Sequence, residues 1–312
     1  MLIHFSPRTI SPTWTQSVVC LGTFDGVHRG HQQLVQKAVD LAKLHECPSW
    51  ILTFDQHPMA VIRPEKCPLA VAGIESNLEM FRKLGISGSL VLHFDRSLME
   101  TSAEEFFQEI VCERLRAKHI VIGHDFAFGH NREGTGEWLK HRIDTTILEP
   151  FLVDGLRVSS SAVRTAISEG RVEDASHLLG RPFSLQGVVV SGEKQGRKIG
   201  YPTINLATSL RRVLPADGVY AGFAKTERGT YLAAIGIGMR PTFGGTSRTV
   251  EAYLLDYPGD LLYGTAAEIG FLHHLRADQK FDSIEALVKQ MDEDVARTRT
   301  IGVSSDVLNR RD

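Results

Sequence analysis

The sequence predicts two folds in one chain: an α/β domain built on a parallel sheet with helices on both faces, followed by a small antiparallel β-barrel with a C-terminal helix. The chain has 312 residues, which is long for one hydrophobic core and suits two domains. Up to about residue 180, short continuous apolar runs alternate with helical patterns. From about residue 184, short strands follow one another without helices between them. The alternating pattern of the first half is typical of a parallel sheet, and the succession of strands in the second half is typical of an antiparallel barrel.

Four apolar runs in the first half are predicted to be strands: Val18–Leu21, Trp50–Phe54, Leu90–Phe94 and Ile120–Ile122. Helical patterns lie between them, at about residues 31–44, 75–84 and 103–117. Runs that are apolar on both faces and separated by helices indicate a Rossmann-like parallel sheet. In such sheets ligands bind beyond the carboxyl ends of the strands. Three segments fall there: Gly22–His31, Asp55–Pro58 and Gly123–Gly129.

The second half is predicted to consist of strands joined by tight turns. Val219–Lys225 and Tyr231–Ile237 flank Glu227-Arg228-Gly229, which predicts a β-hairpin. Further strands are predicted at Leu185–Val190, Thr249–Asp256 and Ala267–His274.

A helix is predicted to close the barrel. Asp282 and Glu285 have the spacing of a capping box at its start. Its apolar stripe comprises Ile284, Leu287, Val288, Met291 and Val295. The domain boundary is predicted at Gly180-Arg181-Pro182, after two short helices, which gives domains of residues 1–183 and 184–312.

The composition is that of a globular protein without a strong overall charge. Lys and Arg number 35 and Asp and Glu number 37, a balance that gives no reason to expect a nucleic acid or an acidic membrane as partner. No long apolar segment and no signal-peptide pattern is present. The four cysteines lack the spacing of a zinc site. We therefore expect a cytoplasmic protein with neither a nucleic acid nor a membrane as partner, and its oligomeric state is left open.

A glycine-rich turn, Gly22–His31, directly follows the first apolar run. A strand, a glycine turn and a helix start together leave backbone N–H groups free to bind phosphate. His28 and His31 can donate hydrogen bonds to phosphate oxygens while charge builds on a leaving pyrophosphate. Gly30 lets the backbone approach a nucleotide. The alternative is a tight turn with two surface histidines, but the combination favours nucleotidyl transfer by direct attack on an α-phosphorus.

Further candidates lie in two later segments of the first half. Asp125 follows the fourth apolar run, where it is either a turn residue or a hydrogen-bond partner of ribose or adenine. Arg157 and Arg164 flank the pair Ser160 and Ser161. Serines at a helix start are ordinary N-caps, whereas two flanking arginines also suit triphosphate oxygens.

A glycine-spaced basic loop in the second half, residues 192–205, ends in Pro-Thr-x-Asn. It is not a Walker A sequence, because no Gly-Lys-Ser/Thr follows the glycines. Backbone amides freed by Gly196 and Gly200 can still cradle phosphates. Thr203 and Asn205 are two residues apart on an extended segment, so they point to one side and can present oxygens to Mg²⁺. The alternative is a flexible surface hairpin.

These two motifs, in this order, resemble the bacterial bifunctional riboflavin kinase/FMN adenylyltransferase family, also called FAD synthetase. The first, residues 22–31, is shared by many adenylyl- and cytidylyltransferases. The second, Gly-Arg-x-x-Gly-Tyr-Pro-Thr-x-Asn at residues 196–205, is far more specific. The likeness runs from about residue 15 to about residue 300. It implies an N-terminal FMN adenylyltransferase domain and a C-terminal riboflavin kinase domain, with ATP, riboflavin and FMN as substrates.

The resemblance also implies a role for each candidate residue. Glu251, which would otherwise be a solvated strand residue, is implied as the kinase base, and His28 and His31 as catalytic residues of adenylyl transfer. Thr203 and Asn205 are implied as ligands of Mg²⁺. The residues implied to bind ATP for adenylyl transfer are Gly22, Phe24, Asp25, Gly30, Asp125, Arg157, Ser160, Ser161 and Arg164. Those implied to bind ATP for the kinase are Gly192, Gly196, Arg197, Gly200 and Pro202.

The chain departs from the family pattern at four positions. Gln56, Ala127, Ala162 and Gly236 stand where the family usually has Pro, Arg, Arg and Asn. Three of the four lie in the transferase half. Two alternatives to a bifunctional enzyme therefore stay open: a riboflavin kinase with an inactive or weakened transferase half, and a non-catalytic flavin-binding regulatory protein on the same scaffold.

Overall fold

The computed structural model describes residues 1–192, 200–209, 211–242, 245–259 and 262–305, with the backbone alone for residues 240–242 and 245–247. The chain forms two compact units, Met1–Ser160 and Ser161–Asp312. Within the described ranges, none of the helices combines the length and the hydropathy needed to cross a bilayer.

The first unit is built on a six-stranded parallel sheet in the order β1-β4-β3-β2-β5-β6. Its strands are β1 (Leu2–His4), β2 (Ser17–Leu21), β3 (Ser49–Phe54), β4 (Gly88–Leu92), β5 (Ala117–Gly123) and β6 (Asp144–Leu148). Four of them are the strands predicted from the apolar runs. The other two form the sheet edges and were missed by the sequence analysis: β1 has only three residues, and β6 begins with three polar ones.

Helices cover both faces of this sheet. They are α1 (Arg29–Leu44), α2 (Met59–Ile62), α3 (Ile74–Lys83), α4 (Arg96–Glu100), α5 (Ala103–Glu105), which continues as a π-helix over Phe106–Arg114, and α6 (Gly136–Lys140). Alternate residues of β2 enter two separate hydrophobic clusters. Val19 and Leu21 pack in one, and Val18 and Cys20 pack in the other. Strands that are apolar on both faces thus have a core on each side, which confirms the α/β prediction.

The parallel arrangement brings the loops after β2, β3 and β5 to one edge of the sheet, where the sequence analysis placed three ligand-binding segments. A short hairpin follows β6 and joins Leu152–Val153 to Leu156–Arg157. The carboxyl ends of the strands are therefore the part of the first unit in which a site is expected.

The second unit is a closed antiparallel barrel in the order β7-β8-β11-β10-β9-β12. Its strands are β7 (Phe183–Val190), β8 (Thr203–Ala207), β9 (Gly218–Thr226), β10 (Gly229–Thr242), β11 (Gly245–Leu254) and β12 (Ala266–Ala277). The predicted hairpin is the β9–β10 pair, in which Thr226 is paired with Gly229 across a two-residue turn. The barrel prediction is confirmed.

Among the described residues of the second unit, three helices accompany the barrel: α7 (Ser160–Ser168), α8 (Val172–Leu179) and α9 (Ile284–Ser305). The first residue of α9 is Ile284, and the backbone N–H of Ala286 donates to Ser283 Oγ at 3.1 Å. Ser283 therefore caps the helix, and the predicted capping box that starts at Asp282 is wrong.

The helices α7 and α8 count with the barrel, so the units divide earlier than the sequence-based division after residue 183. Glu173 on α8 accepts a hydrogen bond from the backbone N–H of His274 at 3.2 Å and also contacts the ring of His273 on β12. A Cβ placed on Gly170 would lie 2.9 Å from the hydroxyl of Tyr220 on β9. These contacts hold α8 and the turn before it against the barrel wall.

Candidate active sites

A cavity of about 250 Å³ lies at the carboxyl edge of the first sheet. The loop after β2, the loop after β5 and the segment after β6 line it. The predicted site residues that border it are Gly22, Phe24, His28, Gly30, His31, Asp125, Arg157 and Ser160. Residues separated by more than a hundred positions thus meet at one place, as expected for the ligand-binding edge of a parallel sheet.

The two histidines of this cavity form one unit. His28 caps helix α1, because its Nδ1 accepts a hydrogen bond from the backbone N–H of His31 at 3.2 Å. The two imidazole rings are stacked, with 3.6 Å between centroids and 15° between planes. A Cβ on Gly30 would lie 3.3 Å from the His28 ring. Gly30 therefore makes room for His28, in addition to the nucleotide approach inferred from the sequence.

The hydrogen bond at His28 and the burial of His31 determine what each ring can offer a ligand. Since Nδ1 of His28 accepts a hydrogen bond, its ring proton sits on Nε2. Burial, with a smaller contribution from neighbouring His28, holds the pKa of His31 well below its ordinary value. The pair therefore offers hydrogen-bond donors to an anionic ligand at the start of α1, where the free backbone N–H groups also point.

Asp125, Arg157 and Ser160 are tied together with the loop after β2. Arg157 Nη2 donates to Asp125 Oδ2 at 2.8 Å, and both side chains are exposed. Ser160 Oγ donates to the backbone carbonyl of Asp25 at 2.9 Å. An exposed ion pair of this kind is worth about 1 kcal/mol or less, so a nucleotide can compete for either partner.

A second, smaller cavity of about 80 Å³ adjoins this edge, between the loops after β2 and β3. Asp25 borders it, and its carboxylate accepts hydrogen bonds from the backbone N–H groups of Val71 and Ala72. Asn77 also borders it and is 6% exposed, with no hydrogen-bond partner for Oδ1 within the described residues. Gln56 lines the same cavity and donates from Nε2 to the carbonyl of Phe94 at 2.8 Å.

The remaining predicted residues of the transferase set, Ser161 and Arg164, lie on α7 in the second unit. Arg164 Nη1 donates to Ser161 Oγ at 3.3 Å.

The barrel contains a cavity of about 590 Å³. Thr203 and Asn205 on β8 and Glu251 on β11 all border it. In the β8–β11 ladder Asn205 is the direct partner of Glu251, and Thr203 is the partner of Tyr253. Side chains of directly opposed residues share one face of a sheet. The ladder therefore fixes an amide and a carboxylate side by side at the cavity wall.

The wall beside Glu251 carries little side-chain bulk. Gly236 on β10 is the partner of Glu251 on its other side, and a Cβ there would meet no atom within 4 Å. Gly192 lies against the amide of Asn205, since a Cβ on Gly192 would be 2.3 Å from Asn205 Nδ2. Of the other predicted kinase residues, Gly200 and Pro202 precede Thr203, whereas Gly196 and Arg197 lie outside the described residues.

Gly192→Ala tests whether this close packing positions Asn205. The added methyl group must push the Asn205 amide aside, and a displacement of about 1 Å at a reacting site can cost about a hundredfold in rate. For the riboflavin kinase activity that the family resemblance implies, we expect a loss of at least about tenfold. Steady-state kinetics with varied Mg-ATP measures the loss, and formation of FAD from added FMN by the same sample is the control. Unchanged phosphorylation would mean that the position of the Asn205 amide is unimportant.

The C-terminal helix supplies another side of this cavity. Leu287, Met291 and Val295 of the predicted apolar stripe border the cavity, whereas Ile284 is 63% exposed and does not belong to the stripe. Asp294, 3% exposed, receives hydrogen bonds from Arg276 Nε and Nη2, the shortest at 2.8 Å. This ion pair joins α9 to β12 and is built into the cavity wall.

Tyr201 was missed by the sequence analysis as a site residue. It borders the barrel cavity and donates a hydrogen bond from its hydroxyl to Asp292 on α9. Burial, followed by the contact with Asp292, raises the pKa of Tyr201 to about 12, so the hydroxyl stays protonated at neutral pH. Its position directly before Pro-Thr-x-Asn was the available signal. In the first unit, Glu149 and Phe151 were missed because the strand that precedes them was missed.

Each half of the chain matches its own family model. A family model described as FAD synthetase matches residues 10–162, and one described as riboflavin kinase matches residues 179–302. A bifunctional riboflavin kinase/FMN adenylyltransferase from Listeria monocytogenes is 33% identical over 95% of this chain and 96% of its own length. One from Pseudomonas fluorescens is 34% identical over 96% and 97%.

A solved structure resembles the whole chain. It is the crystal structure of a protein from Streptococcus pneumoniae described as a macrolide-efflux protein. The TM-score is 0.87 at 33% identity, and the match covers 96% of this chain and 98% of that one. The folds of both units thus recur in an experimental structure.

Proposed function

The chain belongs to the family of bifunctional riboflavin kinase/FMN adenylyltransferases, and we propose on that basis which of its residues carry out the two reactions. The barrel transfers the γ-phosphoryl group of ATP to the ribityl 5′-hydroxyl of riboflavin and gives FMN. The N-terminal unit joins FMN to the AMP part of a second ATP and releases pyrophosphate. The observation that carries the kinase assignment is the pairing of Asn205 with Glu251 at the wall of the large cavity.

In the kinase reaction Glu251 accepts the proton of the ribityl hydroxyl as the oxygen attacks the γ-phosphorus. The flat wall at Gly236 leaves space for the substrate chain beside the carboxylate. Phosphoryl transfer depends mainly on positioning and charge stabilisation, with little covalent work for the protein. The loop that contains Gly192, Gly196, Arg197 and Gly200 is proposed to supply amides and positive charge to the phosphates of ATP.

Thr203 and Asn205 are proposed to hold Mg²⁺. Mg²⁺ takes oxygen ligands and is usually bound by one or two protein groups together with substrate phosphates and water, and a hydroxyl and an amide oxygen fit this preference. The packing of Gly192 against Asn205 supports a fixed position for that amide. When bound, the ion neutralises charge on the phosphates of ATP.

In the adenylyl transfer reaction the phosphate of FMN is already an anionic nucleophile, so no strong base is required. His28, His31 and the start of α1 stabilise charge on the triphosphate, and Arg157 is proposed to leave Asp125 for phosphate oxygens. Asp125 then serves ribose or adenine. The small cavity beside the site, with Asn77 and Gln56 as hydrogen-bonding groups, is proposed to receive the flavin of FMN.

The alternatives left open by the sequence are less well supported. A non-catalytic flavin-binding protein needs no carboxylate directly opposed to a metal-ligand candidate, as Glu251 is to Asn205. A weakened transferase half was suggested by Gln56, Ala127 and Ala162, of which Ala162 lies on α7. Gln56 makes its own backbone hydrogen bond, and Ala127 belongs to a short strand paired with Gly134–Thr135, so both residues fit their surroundings.

The two activities are expected to be separable. A fragment of residues 161–312 includes α7 without its first residue and all of α8, which packs on the barrel, and it should form FMN and no FAD. A fragment of residues 184–312 lacks the hydrogen bond between Glu173 and His274 and should be less stable. Chromatographic separation of FMN from FAD, after incubation with riboflavin, Mg²⁺ and ATP, tests this. A folded 161–312 fragment without kinase activity would contradict an autonomous kinase unit.

A further inference from the structure

The ring of His31 has a second aromatic neighbour, Phe24. Their centroids are 5.2 Å apart and their planes are inclined by 72°. Phe24 borders the transferase cavity but is only 1% exposed, so it has little surface to offer a nucleotide. A Cβ on Gly22 would lie 3.0 Å from the Phe24 ring. The ring is therefore enclosed between the turn and His31.

The backbone of Phe24 is strained. Its φ angle is +48°, in the left-handed region that bulky residues rarely adopt. Such strain persists only where the surrounding structure imposes it, and it clusters at functional sites. In this turn the strained conformation points the Phe24 ring inward, beneath His31, and His31 faces the cavity. The strained backbone thus places the Phe24 ring in contact with His31.

The surroundings of His31 do not suit a positive charge. An imidazolium needs hydrogen-bond acceptors for both ring N–H groups, whereas Nδ1 of His31 is buried and has no partner within the described residues. The titratable and charged side chains that share the cavity with His31 are His28, His124, Asp125, Glu149 and Arg157. His28 is the one stacked on it.

We propose, resting on the adenylyl transfer function above, that Phe24 is a positioning residue that holds His31 against His28 as a neutral hydrogen-bond donor to the phosphates of ATP. Phe24 acts through His31 and not by its own contact with the nucleotide. A histidine freed from this packing would regain an ordinary pKa of about 6.5 and would change charge close to neutral pH. The packing keeps the donor in one charge state while the site works.

The test compares Phe24→Leu with Phe81→Leu in the full-length chain. Leucine keeps a buried apolar side chain and removes the ring. Phe81 packs edge-on against Phe24 at 5.4 Å in the same core, so it controls for loss of an aromatic core residue. The measurements are kcat/KM for FAD formation from added FMN and ATP between pH 6 and pH 8, and the titration of His31 by NMR, assigned with a His31→Gln sample.

For Phe24→Leu we expect kcat/KM to fall at least about tenfold at pH 8, because a donor that is not held in place loses most of its benefit. Between pH 8 and pH 6 the ratio of variant to wild type should fall further, because a His31 ring released from the packing gains a proton in this range, and the charged ring finds no acceptor for its buried Nδ1 among the described residues. Phe81→Leu should stay within a few-fold of wild type, with the wild-type pH profile.

Equal losses in both variants, or a wild-type pH profile for Phe24→Leu, would overturn the proposal. If Phe24→Leu does not fold, the wild-type titration still decides, because a His31 that titrates at or above pH 6.5 contradicts a neutral donor. Failure of the underlying function is distinguishable. In that case His31→Ala would itself leave FAD formation unchanged, whereas loss in His31→Ala without loss in Phe24→Leu removes only the role of Phe24.

Discussion

Glu251→Gln is expected to reduce riboflavin phosphorylation by about a hundred- to ten-thousandfold, the usual loss when general-base assistance is removed. Glutamine keeps the shape of the side chain and one hydrogen-bonding oxygen, but its amide cannot accept the ribityl proton at neutral pH. Because the ladder partner Asn205 is unchanged, riboflavin and Mg-ATP should bind with near wild-type affinity. The loss should therefore appear in kcat, measured by the rate of FMN formation at saturating substrates.

Two controls accompany this variant. The same protein should convert added FMN to FAD at the wild-type rate, since that reaction belongs to the other unit. Glu227→Gln, on the exposed β9–β10 turn, makes the same chemical change away from the cavity and should leave phosphorylation unaltered. A Glu251→Gln enzyme that phosphorylates riboflavin within a few-fold of wild type would show that Glu251 is an ordinary strand carboxylate.

His31→Ala is expected to lower FAD formation from added FMN by about a hundredfold or more, the cost of losing one preorganised donor to a developing charge. The substitution also removes the ring stacked on His28, so the second donor loses part of its support. Phosphorylation of riboflavin should be unchanged. Rates measured with saturating FMN and ATP test the loss, and pyrophosphate release provides a second readout.

His141→Ala is the matched control for this variant, because His141 is an exposed histidine of the same unit, at the end of α6. It should retain both activities. Equal loss of FMN and FAD formation in His31→Ala would point to misfolding or to a shared site. An undiminished rate of FAD formation would exclude His31 from adenylyl transfer.

Apolar runs were sufficient to predict the interior strands, because strands buried on both faces must be continuous in hydrophobicity. The same rule could not find β1 or β6, which lie at the sheet edges and have polar or exposed residues. The local sequence pattern also did not show where the first unit ends. Whether α8 packs on the sheet or on the barrel depends on contacts such as that of Glu173 with His274, which join residues far apart in sequence.

The candidate sites, too, were predictable from the sequence only in part. Spacing alone indicated that His28 and His31 share a helix start and that Thr203 and Asn205 share a face. It could not indicate that Glu251 is the ladder partner of Asn205, since register between distant strands is set by the whole barrel; only the family resemblance suggested a role for Glu251. Spacing also could not indicate that the Asp25 carboxylate accepts hydrogen bonds from the backbone at Val71 and Ala72.

The three-residue strand β1 matters for how the protein is produced. Leu2, Ile3 and His4 pair with Gly88, Ser89 and Leu90, and thereby cover the edge of β4, a strand whose five residues are all buried. Uncovered strand edges are templates for aggregation, and parallel sheets with distant partners form slowly. Leu2–His4 must therefore wait for β4, more than eighty residues later in the chain, before this edge of the sheet is covered. A change to Leu2–His4, or a fusion placed directly before them, acts on this covering strand and therefore bears on the yield of folded protein.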